Sequence, residues 1–145
     1  FVNIFQPTDK ANLQTAVNLW ISDNASALTT YGEINTWDTS LIKDMASLFL
    51  GKSTFKSDIS NWDTSAVTSM YSVFANASAF NQPIGNWNTS AVTGMGGMFS
   101  CVIATSATDN ETICFGTAPT HVFFNIFQPT DKTTLPHPVS HSITD

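Results

Sequence analysis

Cys101 and Cys114 are the residues best placed in this chain for covalent chemistry, because two cysteines among few charges read as one disulfide. Such a bond, closing a loop of about 14 residues, would add about 3 kcal/mol by loop-entropy reasoning; two buried free thiols are the alternative. No histidine or basic residue lies near either cysteine in sequence to activate a thiolate. Four asparagines begin Asn-x-Ser/Thr triplets, Asn24, Asn76, Asn88 and Asn110, and are candidate N-glycosylation sites. Asn24, Asn76 and Asn110 are expected in loops, whereas Asn88 directly follows a tryptophan and is a candidate capping residue.

Other residues invite chemistry and decline it. Asp38, Asp63 and Asn88 recur at one spacing, but the third member is an amide and no Gly-Gly-x-Gly-x-Asp pattern surrounds them, so turn and capping bonds are favoured over a calcium ladder. His121, His137 and His141 fall in the final stretch, and Pro138 separates the last two, which spoils a helical metal site. No Gly-x-Ser-x-Gly, His-Glu-x-x-His or phosphate loop occurs. No enzyme activity, metal or cofactor is expected.

Composition narrows the class. The chain has 145 residues, 11 acidic against 5 basic, and a net charge of −6, with no basic stripe to meet phosphate. Nucleic acid is therefore a poor partner. No apolar run reaches the roughly 18 residues a membrane span needs, so no membrane insertion is expected. The opening Phe1-Val-Asn-Ile-Phe-Gln-Pro7 lacks the basic start and apolar core of a secretory leader, so a secreted chain is expected here as a mature form or an excerpt.

The elements that must position these residues are set by a repeat. Trp37, Trp62 and Trp87 stand 25 residues apart, and Ile34, Ile59 and Ile84, then Ile42, Val67 and Val92, then Met45, Met70 and Met95, then Phe49, Phe74 and Phe99 return in phase. A unit this short cannot bury its own apolar face, so neighbours must stack. The tryptophans are expected in the shared core, not on an open sugar-binding face. Around each isoleucine there is room for a short strand. After each tryptophan, Asp/Asn-Thr-Ser offers helix-capping oxygens, and apolar residues follow at spacings of three and four.

One strand and one short helix per unit predicts an α/β fold, a short leucine-rich-repeat solenoid of three 25-residue coils over residues 30–100. Ahead of it, Leu13, Ala16, Val17 and Trp20 share a helical face behind a Thr8 cap, predicting a capping helix over 9–22 after an extended arm, residues 1–8. Residues 101–122 would form a C-terminal cap closed by the disulfide, completing a domain of residues 1–122. Residues 123–145 would be an extended segment and a Ser/Thr/Pro-rich tail.

The run Phe80-Asn-Gln-Pro-Ile84-Gly-Asn-Trp87-Asn-Thr-Ser-Ala-Val92-Thr-Gly-Met95-Gly-Gly-Met98-Phe99 resembles the repeat of BspA-like leucine-rich-repeat surface proteins, a family long filed as a domain of unknown function. The helix ending Ala16-Val-Asn-Leu-Trp20 and the run Thr30-Tyr31-Gly32 are similar to that family's lead-in, so the resemblance covers about residues 5–100. It implies a right-handed solenoid on a cell-surface or secreted protein, with structural or adhesive roles and no shared enzymatic chemistry.

The ends carry a second signal. Residues 1–10, Phe-Val-Asn-Ile-Phe-Gln-Pro-Thr-Asp-Lys, return as residues 123–132 with only Val2 changed, to Phe124. A segment used twice should have two equivalent places to dock, so Phe1, Val2, Ile4 and Phe5 with Phe123, Phe124, Ile126 and Phe127 are candidate assembly contacts. Tandem modules are one explanation, although Pro136 and Pro138 stand where a second capping helix would run. Head-to-tail assembly with other copies of the chain is the other, since a contact that does not close on itself propagates into a filament. The function expected is a glycosylated extracellular building block at the cell surface. The rival is a monomeric adhesion module that binds a protein or glycan through its concave face. Intact mass before and after enzymatic removal of N-glycans, without reductant, is expected to fall on deglycosylation and to match a chain with both thiols oxidised.

Overall fold

A computed structural model describes residues 3–100. All the regular secondary structure among them is helical. Helix α1 spans Lys10–Ser22, helix α2 spans Asn24–Tyr31, and one 3₁₀ turn covers Ile34–Thr36. No strand or sheet is present among the described residues; the only β features are two isolated parallel bridges, Asp44 to Ser69 and Ser69 to Gly94. The expected α/β leucine-rich-repeat solenoid, with a strand and a helix in each coil, is therefore wrong.

Helix α1 starts one residue later than its spacing suggests. Its cap is Asp9, whose carboxylate accepts from Asn12 N–H at 2.8 Å, and Thr8 instead lends its own N–H to the Asn12 side chain at 3.2 Å. The predicted apolar face is intact: Leu13, Ala16, Val17 and Trp20 are buried. Helix α2 was not legible, because only Ala27 of its eight residues is buried and no apolar stripe marks it. What starts it is Asp23, which ends α1 by donating its N–H to Leu19 C=O and begins α2 by accepting from both the N–H and the hydroxyl of Ser26.

After α2 the chain is built from turns, and those turns explain why neither strands nor further helices form. Asp38, Asp63 and Asn88 each accept, through the side chain, the N–H two residues ahead, at 2.9 to 3.0 Å. Ile42, Val67 and Val92 then donate to Thr39, Thr64 and Thr89, closing one turn only. This is capping chemistry, as the residue types suggest, but the groups that would carry a helix onward are spent between units. Met45, Ser47, Phe49 and Gly51 donate to Ser69, Tyr71, Val73 and Ala75, and Met70, Ser72, Phe74 and Asn76 donate to Gly94, Gly96, Met98 and Ser100. Thr68 and Thr93 donate back to Lys43 and Thr68.

Those bonds would make a ladder if the chain stayed extended, and it does not. Ser47, Ser72 and Gly97 have φ of 59°, 54° and 64°, so the left-handed region recurs three residues after each bridged position, Asp44, Ser69 and Gly94, and keeps the chain from running on as a strand.

Between the units lies the core. Phe49 stacks on Phe74 at 5.3 Å and Phe74 on Phe99 at 5.6 Å, while Phe55 stacks on Phe80 at 5.8 Å. The tryptophans are core, with Trp37, Trp62 and Trp87 only 2%, 3% and 4% exposed. Each indole has an acceptor: Trp62 Nε1 reaches Ile34 C=O at 2.8 Å and Trp87 Nε1 reaches Ile59 C=O at 3.2 Å, in each case in the preceding unit. Trp37 has no preceding unit and uses Gly32 C=O at 3.2 Å. Thr39 and Thr64 are buried with their hydroxyls on the carbonyls of Asp63 and Asn88. No buried side-chain polar atom among the described residues lacks a partner. Helix α1 lies along the outer edge of the first unit, where Gln14 Nε2 donates to Leu48 C=O at 3.0 Å.

The left-handed column is testable. Ser47 tolerates its φ at a steric cost that glycine does not carry, so Ser47→Gly is expected to leave stability within about 0.5 kcal/mol of the parent, whereas the β-branched Ser47→Val lowers it by about 1 to 2 kcal/mol in urea melts.

Candidate functional site

The N-terminal arm is seated on the body of the protein through a cluster of aromatic and polar contacts. Phe5 places its ring 4.4 Å from Tyr31 and 5.3 Å from Trp37, the latter edge to face. Its carbonyl accepts the N–H of Asp38 at 2.9 Å. Gln6 Nε2 donates to Asp38 Oδ2 at 2.7 Å and reaches Ser40 Oγ at 3.5 Å. Pro7 is buried. Just beyond, at the start of α1, Lys10 Nζ stands 3.3 Å from Asp44 Oδ2 in a half-exposed ion pair.

The floor of the seat belongs to the first unit. Trp37 is held by its indole bond to Gly32 and by stacking on Trp62 at 6.1 Å, while Trp20 of α1 meets it edge to face at 6.0 Å. Asp38 is fixed by its own turn, with Oδ1 on Ser40 N–H and Oδ2 on Gln6. Hydrogen bonds from the Ser40 side chain and N–H hold the Asp38 carboxyl below the ordinary carboxylate range, with desolvation opposing them and the Gln6 bond adding to them. Asp63, one unit on, is lowered in the same way by the Ser65 side chain and N–H, with desolvation and the Asp38 charge opposing. The row is thus a set of turn-closing carboxylates. Among the described residues no group of three or more His, Cys, Asp or Glu side chains is placed to hold a metal ion.

The structure distributes the sequence candidates unevenly. Phe5 is in the seat, but Ile4 is 57% exposed and points away from packing. Phe1, Val2, Phe123, Phe124, Ile126 and Phe127 lie outside the described residues, as do Cys101, Cys114 and Asn110. Asn24 is not in a loop: it is the first residue of α2, exposed beside the Asp23 cap, and its triplet partner Ser26 is engaged by that cap. Asn76 is half-buried in a turn with φ 58°. Asn88 is exposed with its side-chain oxygen accepting Ser90 N–H at 3.0 Å, a bond that closes a turn, with no helix there for it to cap.

Gln6, Tyr31 and Asp38 are members of the seat that sequence reasoning did not assign to it. The available signal was the second copy of the arm, which repeats Gln6 and Pro7 as Gln128 and Pro129. No helix among the described residues is long and apolar enough to cross a membrane.

A model of the protein family described as "Mycoplasma protein of unknown function, DUF285" matches residues 12–130. The match runs past the last aromatic repeat, beyond the limit near residue 100 that the repeat alone suggests. No curated protein and no solved structure matches the chain.

The lowered carboxyls at Asp38 and Asp63 make a prediction with a definite sign. Their folded values lie below the unfolded value of about 4, so the stability they contribute is present above that pH and is lost as pH falls through the folded values. Melting temperature is expected to drop below about pH 4. The double variant Asp38→Asn with Asp63→Asn should keep the fold, since Asn88 closes the same turn, and should flatten that drop in thermal melts followed by circular dichroism.

Proposed function

The chain belongs to the DUF285 family, and on that premise we propose that it is an extracellular structural building block that assembles head-to-tail through its repeated terminal segments. One observation carries the reading. The first copy of the repeated segment is docked on the body through Phe5, Gln6 and Pro7, and the second copy contains the same three residues as Phe127, Gln128 and Pro129. A chain with one seat-forming body and two seat-fitting segments has a surplus segment to offer a neighbour, and an open-ended contact of this kind propagates.

Joining by direct stacking of repeat units is disfavoured at one end. Helix α1 already occupies the outer edge of the first unit through Gln14 and Lys10. Segment exchange avoids that obstacle. The likeness of residues 80–99 to the repeat of BspA-like surface proteins supports an extracellular, cell-surface placement. The exposed positions of Asn24 and Asn88 are compatible with an N-glycan coat, which would supply solubility that so few charges do not. No catalytic role is proposed.

A second reading rests on Tyr71, which is 58% exposed with its ring edge so close over Gly96 that a Cβ there would sit 3.0 Å from Tyr71 Cε2. A flat exposed aromatic suits an adhesive face for a protein or glycan. Electron microscopy of the full chain separates the two. Head-to-tail assembly predicts linear oligomers that disappear when residues 121–145 are deleted, whereas monomers unchanged by that deletion, together with binding lost in Tyr71→Ala, would favour adhesion.

A further inference from the structure

We infer that the seat formed by Tyr31, Trp37, Asp38 and Ser40 is the joint itself, that its partner is the Phe127-Gln128-Pro129 segment of a second copy of this chain, and that the chain's own arm is the competitor that regulates it. The inference rests on the assembly reading above and deepens it by naming the two surfaces.

The contacts of the arm divide into two sets. Those made with the body come from three consecutive residues: the Phe5 ring on Tyr31 and Trp37, the Phe5 carbonyl on Asp38 N–H, the Gln6 side chain on Asp38 and Ser40, and buried Pro7. All three residues recur in the second copy in the same order. The other set is made with α1, through the Asn12 bonds to Thr8 and Asp9. Of that set the bond from Thr8 N–H to the Asn12 side chain does not transfer, because Thr134 stands where Asn12 does in the first copy, whereas the bond to Asp9 comes from a backbone N–H that any such residue supplies. The second copy therefore keeps the residues that recognise the body and lacks the side chain that ties Thr8 of the first copy to its own helix.

Two segments with the same recognition residues compete for one seat on unequal terms. The own arm is tethered to α1 and acts at an effective concentration on the order of millimolar. An incoming segment from another chain displaces it only where copies are crowded to a similar level, as on a densely covered surface. Proline in both segments restricts the backbone before docking and lowers the entropy lost by either. The own arm is thus a plug, so dilute protein stays monomeric and crowded protein joins.

Sedimentation of the full chain across a concentration series tests this. Phe127→Ala with Gln128→Ala leaves the body and the own arm untouched and is expected to remain monomeric where the parent associates. Gln6→Ala alters only an exposed side chain of the plug and is expected to shift the onset of association to lower concentration, with Phe5→Ala moving it further, by about tenfold, the factor that one lost aromatic contact of ordinary strength sets.

If Phe127→Ala with Gln128→Ala associates like the parent while deletion of residues 121–145 abolishes association, the joint lies elsewhere in the tail and this inference falls while the assembly reading stands. An onset that does not move in Gln6→Ala or Phe5→Ala overturns the plug. A parent chain that stays monomeric at every concentration, with both arm variants doing the same, overturns inference and reading together.

Discussion

The backbones of the first two aromatic units satisfy their hydrogen bonds in the unit that follows, and that pairing across the repeat is the constraint on which the rest of the structure depends. Four N–H groups of the first unit, from Met45 to Gly51, find carbonyls between Ser69 and Ala75, and the second unit repeats the arrangement onto the third. Buried side chains reinforce it. The Thr39 and Thr64 hydroxyls and the Trp62 and Trp87 indoles all bond to backbone carbonyls of an adjacent unit. An unpaired buried polar group costs about 1 to 3 kcal/mol, so a slip in register would strand many groups at once. The rings of Phe49, Phe74 and Phe99 then stack because the backbone brings them into line.

That constraint also produces the seat. A stack of like units has two unlike ends, and at the first one the protein must finish a pattern that has no predecessor. Trp37 turns to Gly32 for its acceptor, α1 supplies Gln14 to Leu48 C=O, and the arm supplies the Phe5 carbonyl to Asp38 N–H. The seat is therefore a place where groups left over by the repeat are satisfied by a short segment. Because few residues do this work, and because the same residues exist a second time in the chain, the end of the stack is suited to exchange between copies.

Much of this was legible, and the parts that were not share a cause. The tryptophan and isoleucine columns, with Phe49 and Phe74, marked buried positions correctly because burial follows residue type and period, while Phe99 is half-buried against the core. The α1 face followed from spacing, but the cap moved from Thr8 to Asp9 because which oxygen meets Asn12 N–H is a matter of local geometry. Helix α2 escaped because a short polar helix begun by Asp23 carries no apolar period. The seat was half visible: the echo of residues 1–10 pointed to Phe5, yet it equally pointed to Ile4, which is exposed.

The sequence alone determined that three units must share one interior, which residues fill it, and that one terminal segment exists twice, since period and identity survive without coordinates. The tertiary structure decided that those units are turns and not strands or helices. Asp/Asn-Thr-Ser and the apolar residues after it are compatible with a short helix, and the residues around Ile34, Ile59 and Ile84 with a strand. The left-handed φ at Ser47 and Ser72 and the spending of backbone bonds between units select neither. Only the folded chain brings Phe5, Gln6 and Asp38 together, because Gln6 and Asp38 stand 32 positions apart and no local pattern records their meeting.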